Sequence, residues 1–234
     1  MARTADTSAV LVAAGSASRM GRNKQLLKIS GVEVLVRTLS AFERCEDIAE
    51  LIVVAKTEDM EQIDSLAQRY GLHKLQAIVP GGADRRQSVE CGLREVSGSS
   101  SYIAIHDGAR PFILPSLISR CIADARKFGA SALAVPVKDT IKTVEDGFIT
   151  ATPKRELLWQ CQTPQVFSLP LYRRACGQAG TSMVTDDCML VEALGHRVHI
   201  TRGDYRNLKI TTPEDLAIAQ AIAREMEFTM EEIL

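Results

Sequence analysis

The sequence predicts an α/β domain of three layers, Rossmann-like, with helices on both faces of a mostly parallel sheet and a β-arm projecting from it. Two observations carry the layered core. Short runs such as Ala9–Ala14 and Leu51–Ala55 are apolar throughout, the pattern of strands buried on both faces. They alternate with stretches of ten or more residues whose apolar positions recur at helical spacing, and such βαβ units build parallel sheets through right-handed crossovers. A third observation predicts the arm. Between Pro136 and Gln162 the rhythm breaks, and Glu145-Asp146-Gly147 separates two β-type runs, a hairpin signal.

In chain order, the strand Ala9–Ala14 stops at Gly15, and a polar Gly/Ser/Arg/Lys loop runs to about Lys28. Val34–Cys45 reads as a helix, with Leu35, Leu39 and Phe42 on one side. Leu51–Ala55 is the next strand. Asp59–Tyr70 is a helix with Met60, Ile63, Leu66 and Tyr70 aligned and Gly71 as its stop. Gln76–Val79 is a strand ending in Pro80-Gly81-Gly82, and a helix runs from about Arg85 to Val96. Tyr102–His106, Pro115–Phe128 and Ala132–Val135 follow as strand, helix and strand. Thr140–Val144 and Phe148–Thr152 make the hairpin, within an arm at residues 137–162. Helices over Leu169–Gly177 and Asp186–Leu194, then a strand over His196–Thr201, lead to the last helix. There Thr212 is a natural N-cap, Pro213 suits the first turn, and Glu214 and Asp215 complement the helix dipole. No repeat or linker divides residues 1–234, so a single domain is expected.

Composition narrows the function classes. The chain carries 28 Lys+Arg against 29 Asp+Glu and is 46% hydrophobic, values too ordinary for disorder. A net charge of −1 is not the footprint of a nucleic-acid binder. No apolar run approaches the ~20 residues of a membrane span, and Met1 to Thr7 lacks the apolar core of a signal peptide. The six cysteines, Cys45, Cys91, Cys121, Cys161, Cys176 and Cys188, include no CxxC pair. Buried free thiols and a cytoplasmic protein are the expectation.

The most informative stretch, Ala13 to Lys24, follows the first strand at the carboxyl edge of the expected sheet, where open α/β folds bind ligands. Its small residues let backbone amides approach a phosphate chain, and Arg19 and Lys24 can meet the charge. It is neither GxGxxG nor GxxxxGK[ST], which disfavours a nicotinamide-linked oxidoreductase and a P-loop enzyme. Composition alone leaves an ordinary loop with solvated cations as an equal reading. Asp107 ends an apolar strand, a costly place for a carboxylate unless it is paired or near a metal. His106 reads as structural.

Ala13-Ala-Gly15, Arg19-Met20-Gly21 and Lys24-Gln25 resemble the signature loop of the GT-A-like nucleotidyltransferases. Gly81 to Ser88, His106 to Pro111, Pro136 to Thr140, Thr163 to Gln165, Thr185-Asp186 and Asn207 to Leu216 follow in the order and rough spacing of one family. In these segments the chain resembles the 2-C-methyl-D-erythritol 4-phosphate cytidylyltransferases of the non-mevalonate isoprenoid pathway.

The resemblance implies that the phosphate of methylerythritol phosphate attacks the α-phosphorus of CTP, forming cytidine diphosphate methylerythritol and pyrophosphate. Arg19 and Lys24 would then contact the triphosphate and stabilise the transition state. Ala13, Ala14, Gly15 and Ser16 would supply backbone contacts, and Gly82, Arg85 and Ser88 would recognise cytosine and ribose. Asp107, Arg110, Thr140, Thr163, Thr185, Asp186 and Lys209 match positions around the acceptor. Lys209, read near the end of a short apolar strand, is the best placed of these to grip phosphate. Asp107 would hold Mg²⁺ directly or through water, or orient Arg110. Arg155 matches a family arginine that reaches into the neighbouring subunit's site, implying a homodimer with exchanged arms. Six cations distant in sequence, Arg19, Lys24, Arg85, Arg110, Arg155 and Lys209, are thus expected to gather on two polyanions within a neutral chain.

Three positions depart from the family pattern: Ala17 where a second loop glycine is usual, Asn23 for a frequent proline, and Gly108 for a common alanine. None removes a charged candidate. The nearest alternative is a ribitol 5-phosphate cytidylyltransferase; another is a non-catalytic nucleotide-binding module.

Overall fold

The computed structural model describes residues 5–15, 24–178 and 184–226. Its organising strand is β1 (Thr7–Val12), buried along almost its whole length. After β1 come the two-residue strands β2 (Lys28–Ile29) and β3 (Val32–Glu33), which pair as a small hairpin, and α1 (Val34–Glu43). Then follow β4 (Ile48–Ala55), α2 (Met60–Arg69), β5 (Leu75–Pro80), α3 (Arg85–Glu95), β6 (Tyr102–Asp107), α4 (Pro115–Phe128) and β7 (Ala130–Pro136). The second half contains β8 (Thr143–Glu145), β9 (Phe148–Ala151), β10 (Trp159–Ser168), α5 (Leu169–Gln178), α6 (Asp187–Glu192), β11 (His199–Arg202) and α7 (Pro213–Glu225).

Seven strands form the central sheet in the order β11-β7-β10-β6-β1-β4-β5. β1 runs parallel to β4 and β6, with Val12 level with Val54 on one side and Asp107 on the other. Alternation along the strands sorts side chains to the two faces. Ala9, Leu11, Leu51 and Val53 pack with α1, α2 and α4 through Leu39, Phe42, Ile63 and Ile118. Val10, Ile52 and Val54 pack on the other side with Val89, Tyr172 and Val191 from α3, α5 and α6. That is the three-layer arrangement expected from unbroken apolar strands. Among the described residues, no helix is long and apolar enough to cross a membrane.

Local signals in the sequence translate closely. α4 has the predicted bounds, and Gly129 closes it at φ 83°. α7 starts with a reciprocal capping box between Thr212 and Asp215. Asp146 and Gly147 both take positive φ, 50° and 83°, as a two-residue hairpin turn requires.

Three expectations are corrected. β10 is a strand that periodicity did not reveal, because Gln160, Gln162 and Gln165 interrupt its apolar pattern and Pro164 cannot donate to a ladder. The structure accommodates the proline at a register break between Cys161 and Gln165, with the Thr163–Pro164 peptide bond cis. β10 is antiparallel to both β6 and β7, and its first residues, 159–162, belong to the central sheet and not to the arm expected over 137–162. Lys209 lies in a loop, not on a strand; Ile210 N–H donates to Ala109 O at 2.9 Å and the Asn207 side chain is buried. Cys161 is exposed rather than buried, and Cys91 and Cys176 are half-buried.

β8 and β9 form a two-stranded sheet of their own, all of whose residues are exposed. At its base Val137 N–H donates to Leu158 O at 3.0 Å and Tyr205 Oη to Pro136 O at 2.7 Å.

Gly92 lets α3, which carries Arg85 and Ser88, lie close on the sheet. A Cβ there would stand 2.5 Å from Val10 Cγ1 and 2.9 Å from Val54 Cγ2, both on stiff β-branched side chains. Gly92→Ala should therefore destabilise the fold by about 1–2 kcal/mol, overpacking outweighing the gain in helix propensity. A lower urea midpoint at unchanged m checks this.

Candidate functional site

The carboxyl ends of β1, β4, β5 and β6 open onto a cleft of about 480 Å³ lined by Ala14, Gly15, Lys24, Lys56, Gly82, Arg85, Ser88, Asp107 and Lys209, among others. A smaller pocket of about 120 Å³ adjoins it, lined by Arg110, Cys161, Gln162, Thr163, Gln165, Thr185 and Asp186. Arg85, Asp107 and Lys209 line both. Asp107 is thus at the junction of the two.

The cleft's floor is made by close backbone packing. Ala13 N–H donates to Val54 O at 2.7 Å, and Gly81 N–H to Ala55 O at 2.9 Å. A Cβ on Gly81 would come within 2.3 Å of Ala14 Cβ, so only glycine lets the two strand ends meet. Asp84 caps α3 by accepting from Gln87 N–H at 2.8 Å. Ser88 Oγ accepts from Gly82 N–H at 3.1 Å and donates to Asp84 O at 2.7 Å. Its hydroxyl therefore holds the Gly81-Gly82 turn as well as lining the cleft.

Asp107 is the electrostatic centre. Its Oδ2 lies 3.1 Å from Lys209 Nζ and 3.1 Å from Arg110 Nε, while Oδ1 is 3.9 Å from Arg85 Nε. Burial alone would raise this carboxyl, but Lys209, Arg110 and Arg85 outweigh it and hold the group well below the usual carboxylate range. Both arginines have a further anchor. Arg110 Nη1 donates to Asn207 O at 2.8 Å, and Asn207 Nδ2 donates to Thr163 O at 2.9 Å. Arg85 Nη2 meets Asp187 Oδ2 at 2.6 Å, and the Tyr172 hydroxyl donates to Asp187 Oδ1 at 2.7 Å. Burial lowers the Arg85 pKa, but the pairing with Asp187 overrides it, and Arg85 stays charged.

β10 enters this network beside β6. Asp107 N–H donates to Thr163 Oγ1 at 3.0 Å, and the same oxygen lies 3.0 Å from His106 Nδ1. His106 is fully buried next to Phe42, and that burial pushes its pKa down to about 3. It is a neutral structural residue. Gln165 Oε1 accepts from Asp187 and Cys188 N–H at 2.9 and 3.2 Å, fixing the turn that carries Thr185 and Asp186.

Of the residues expected at the site, Ala14, Gly15, Lys24, Gly82, Arg85, Ser88, Asp107, Arg110, Thr163, Thr185, Asp186 and Lys209 line one or both pockets. Ala13 is buried just beneath. Ser16 and Arg19, with Ala17 and Asn23, lie outside the described residues. Thr140 and Arg155 are exposed and line neither pocket of their own chain; Arg155 Nη1 donates to Lys138 O at 3.0 Å. Lys56, Asp187 and Asn207 were missed. Lys56 had a readable signal, a cation directly after a strand at the ligand-binding edge. Asp187 and Asn207 act through side chains distant in sequence and had none.

The cleft fits a Mg²⁺ ion that takes most of its ligands from a polyphosphate and water. Two carboxylates line it. Asp84 is engaged in capping, and Asp107 has Oδ2 occupied by two cations while, among the described residues, Oδ1 faces the more distant Arg85. Separately, Cys161, Asp186 and Cys188 bring three donor atoms within 4.8 Å of one another.

Residues 7–225 match the family profile IspD, 2-C-methyl-D-erythritol 4-phosphate cytidylyltransferase. A relative of that name from Geobacter metallireducens is 46% identical over 225 residues, covering 93% of this chain and 97% of the relative. One from Alkaliphilus oremlandii is 44% identical over 230 residues, covering 96% and 98%. The crystal structure of 4-diphosphocytidyl-2C-methyl-D-erythritol synthase from Anaerococcus prevotii superposes with a TM-score of 0.84 at 31% identity, over 93% of this chain and 98% of the other. The cytidylyltransferase from Thermus thermophilus gives 0.77 at 33% identity, over 92% and 98%.

The depressed His106 pKa has a measurable consequence. The unfolded chain binds a proton there near pH 6.5 and the folded chain only near 3. The resulting contribution to stability is complete above pH 6.5 and is lost as the pH falls towards 3, at about 1.4 kcal/mol per unit. Between pH 7 and pH 5 the chain should lose about 2 kcal/mol more than His106→Gln, read from urea unfolding at each pH.

Proposed function

The chain belongs to the 2-C-methyl-D-erythritol 4-phosphate cytidylyltransferase family, and from that premise we propose how its two adjoining pockets divide the family's reaction. The activity is CTP-dependent cytidylyl transfer to 2-C-methyl-D-erythritol 4-phosphate. The larger cleft takes CTP and the smaller pocket takes the acceptor. The observation that carries this division is the junction itself: Arg85, Asp107 and Lys209 border both spaces, where the acceptor phosphate and the α-phosphate must meet.

The acceptor phosphate oxygen attacks the α-phosphorus, a new P–O bond forms, and the bond to the β-phosphate breaks to release pyrophosphate. No protein nucleophile is required, because the acceptor is already an anion. What the chain must supply is positioning of two polyanions and stabilisation of charge on the α-phosphate oxygens. Lys24 and Lys56 meet the triphosphate from the cleft wall, with Arg19 assigned beside them by its match to the family loop. Amides of Ala13, Ala14, Gly15 and the Gly82 turn contact the nucleotide, with Ser16 assigned beside them by its match to the family loop. Lys209 and Arg110 grip the acceptor phosphate, while Thr163, Thr185 and Asp186 meet its hydroxyls. Asp107 prevents the three cations from repelling one another apart before substrate arrives. A Mg²⁺ ion, when bound, neutralises triphosphate charge, and Asp107 Oδ1 is the carboxylate oxygen that would help hold it.

We further propose a cytoplasmic homodimer in which the hairpin arm crosses to the neighbouring subunit, Thr140 and Arg155 serving that subunit's acceptor pocket. The support is the arm's surface. Val144, Phe148 and Ile149 are 59–76% exposed and Leu157 is 73% exposed, more apolar area than water readily tolerates on one projection.

The direct test is turnover of CTP with methylerythritol phosphate, the product identified by mass; preference for ribitol 5-phosphate would overturn the acceptor assignment. Lys24→Ala should lower kcat roughly a hundredfold or more. Lys56→Ala should raise mainly the KM for CTP, and Arg110→Ala mainly that for the acceptor. The reverse split would exchange the pockets. For the arm, mixed dimers of Arg155→Ala and Lys24→Ala chains should recover part of the activity lost in each parent. No recovery in isolated mixed dimers contradicts exchange.

A further inference from the structure

We propose that Cys161, Asp186 and Cys188 form a binding site for a thiophilic divalent cation such as Zn²⁺ in the wall of the acceptor pocket, and that its occupation blocks the acceptor. Cys161 comes from β10, Asp186 is the N-cap of α6 and Cys188 lies in that helix's first turn. Among the described residues they are the one set of three potential metal donors whose atoms all lie within 4.8 Å of one another. Two thiols and a carboxylate are a borderline-soft donor set, suited to Zn²⁺ or Cd²⁺ and poorly suited to the hard Mg²⁺.

The geometry is close to what an ion needs. With Zn–S about 2.3 Å and Zn–O about 2.1 Å, tetrahedral donors stand roughly 3.6 Å apart. The trio therefore closes by side-chain movements of roughly an ångström. A second feature favours a built site over chance proximity. Gln165 Nε2 donates to both Cys161 Sγ, at 3.2 Å, and Asp186 Oδ2, at 3.1 Å. The same side chain's Oε1 accepts from the backbone N–H of Cys188 at 3.2 Å. One buried amide thus orients all three residues, as outer partners of metal ligands do. Cys161 is exposed, so the ion has a way in, and three protein ligands leave the fourth position for water.

Binding releases two protons as the thiols become thiolates and joins both sulfurs and one Asp186 oxygen to the metal. Inhibition follows from position. Cys161 and Asp186 line the 120 Å³ pocket, so a bound ion fills part of it and withdraws Asp186 from the acceptor. This consequence rests on the acceptor reading above; the binding itself does not.

The test uses the full chain, reduced and metal-free, titrated with Cd²⁺ while the ultraviolet cadmium–thiolate charge-transfer band is followed. One equivalent should generate the band. Cys161→Ala, a change at an exposed position that leaves the fold intact, should weaken Cd²⁺ binding roughly tenfold or more, and C161A/C188A should abolish that band. An unchanged titration in C161A would place the metal on other cysteines and overturn the site. In turnover with saturating Mg²⁺, Zn²⁺ should inhibit competitively with methylerythritol phosphate, relative to each variant's own rate without Zn²⁺, and C161A should be resistant by a similar factor. Equal inhibition of both chains, or inhibition competitive with CTP, would overturn the blocking role. A chain that binds Cd²⁺ through the pair yet has no methylerythritol phosphate activity would retain the site and reject the acceptor reading instead.

Discussion

Everything at the carboxyl edge of the sheet is arranged around one buried carboxylate. Asp107 sits at the end of β6, where an unpaired charge would cost several kcal/mol. It is retained because Lys209, Arg110 and Arg85 converge on it from three separate parts of the chain. The relation is mutual. Three cations so close would repel one another without the carboxylate, and without them Asp107 would take a proton. Such a cluster is weak evidence for stability. Its consequence is local: a phosphate entering there would exchange one set of charged partners for another.

The sheet topology is what makes the cluster possible. β1, β4 and β6 run in one direction and bring their ends to a common edge. Inserting β10 antiparallel between β6 and β7 then sets Thr163 against Asp107 and Gln165 against the turn before α6. The smaller pocket therefore takes four of its lining side chains from β10, while strand ends and the Gly81-Gly82 turn line the larger cleft. Between β7 and β10 the chain forms the separate exposed hairpin of β8 and β9. A neutral chain becomes locally basic through this convergence, with no strongly basic composition required.

Much of this was legible in the residue order. Asp107, at the end of an apolar run, reads as a carboxylate in a costly place, with pairing to Arg110 and metal binding both open. The structure shows the pairing and adds Lys209 and Arg85. Arg85 was identified through its match to a nucleotide-binding segment, while its partner Asp187 was passed over for the neighbouring Asp186; the two divide their work, one anchoring Arg85 and one capping α6. β10 escaped notice because glutamines and a proline mask a strand whose burial is set by its neighbours. Six cysteines without a CxxC pair read as buried thiols, although Cys161 is exposed beside two further donors.

By itself the sequence determined what depends on neighbours a few positions away. That includes the alternation of strands and helices, the Asp146-Gly147 turn, the Thr212 cap and the α/β class, because hydrophobic periodicity, turn dihedrals and capping hydrogen bonds all operate over one or two turns of chain. Its ordered motifs also determined the family. The tertiary structure alone decided which charges meet, that Ser88 pins a turn, and that Cys161 reaches Asp186 and Cys188. Electrostatic and coordination chemistry act through a few ångströms of space between residues far apart in the chain, and those distances exist only once the sheet has assembled.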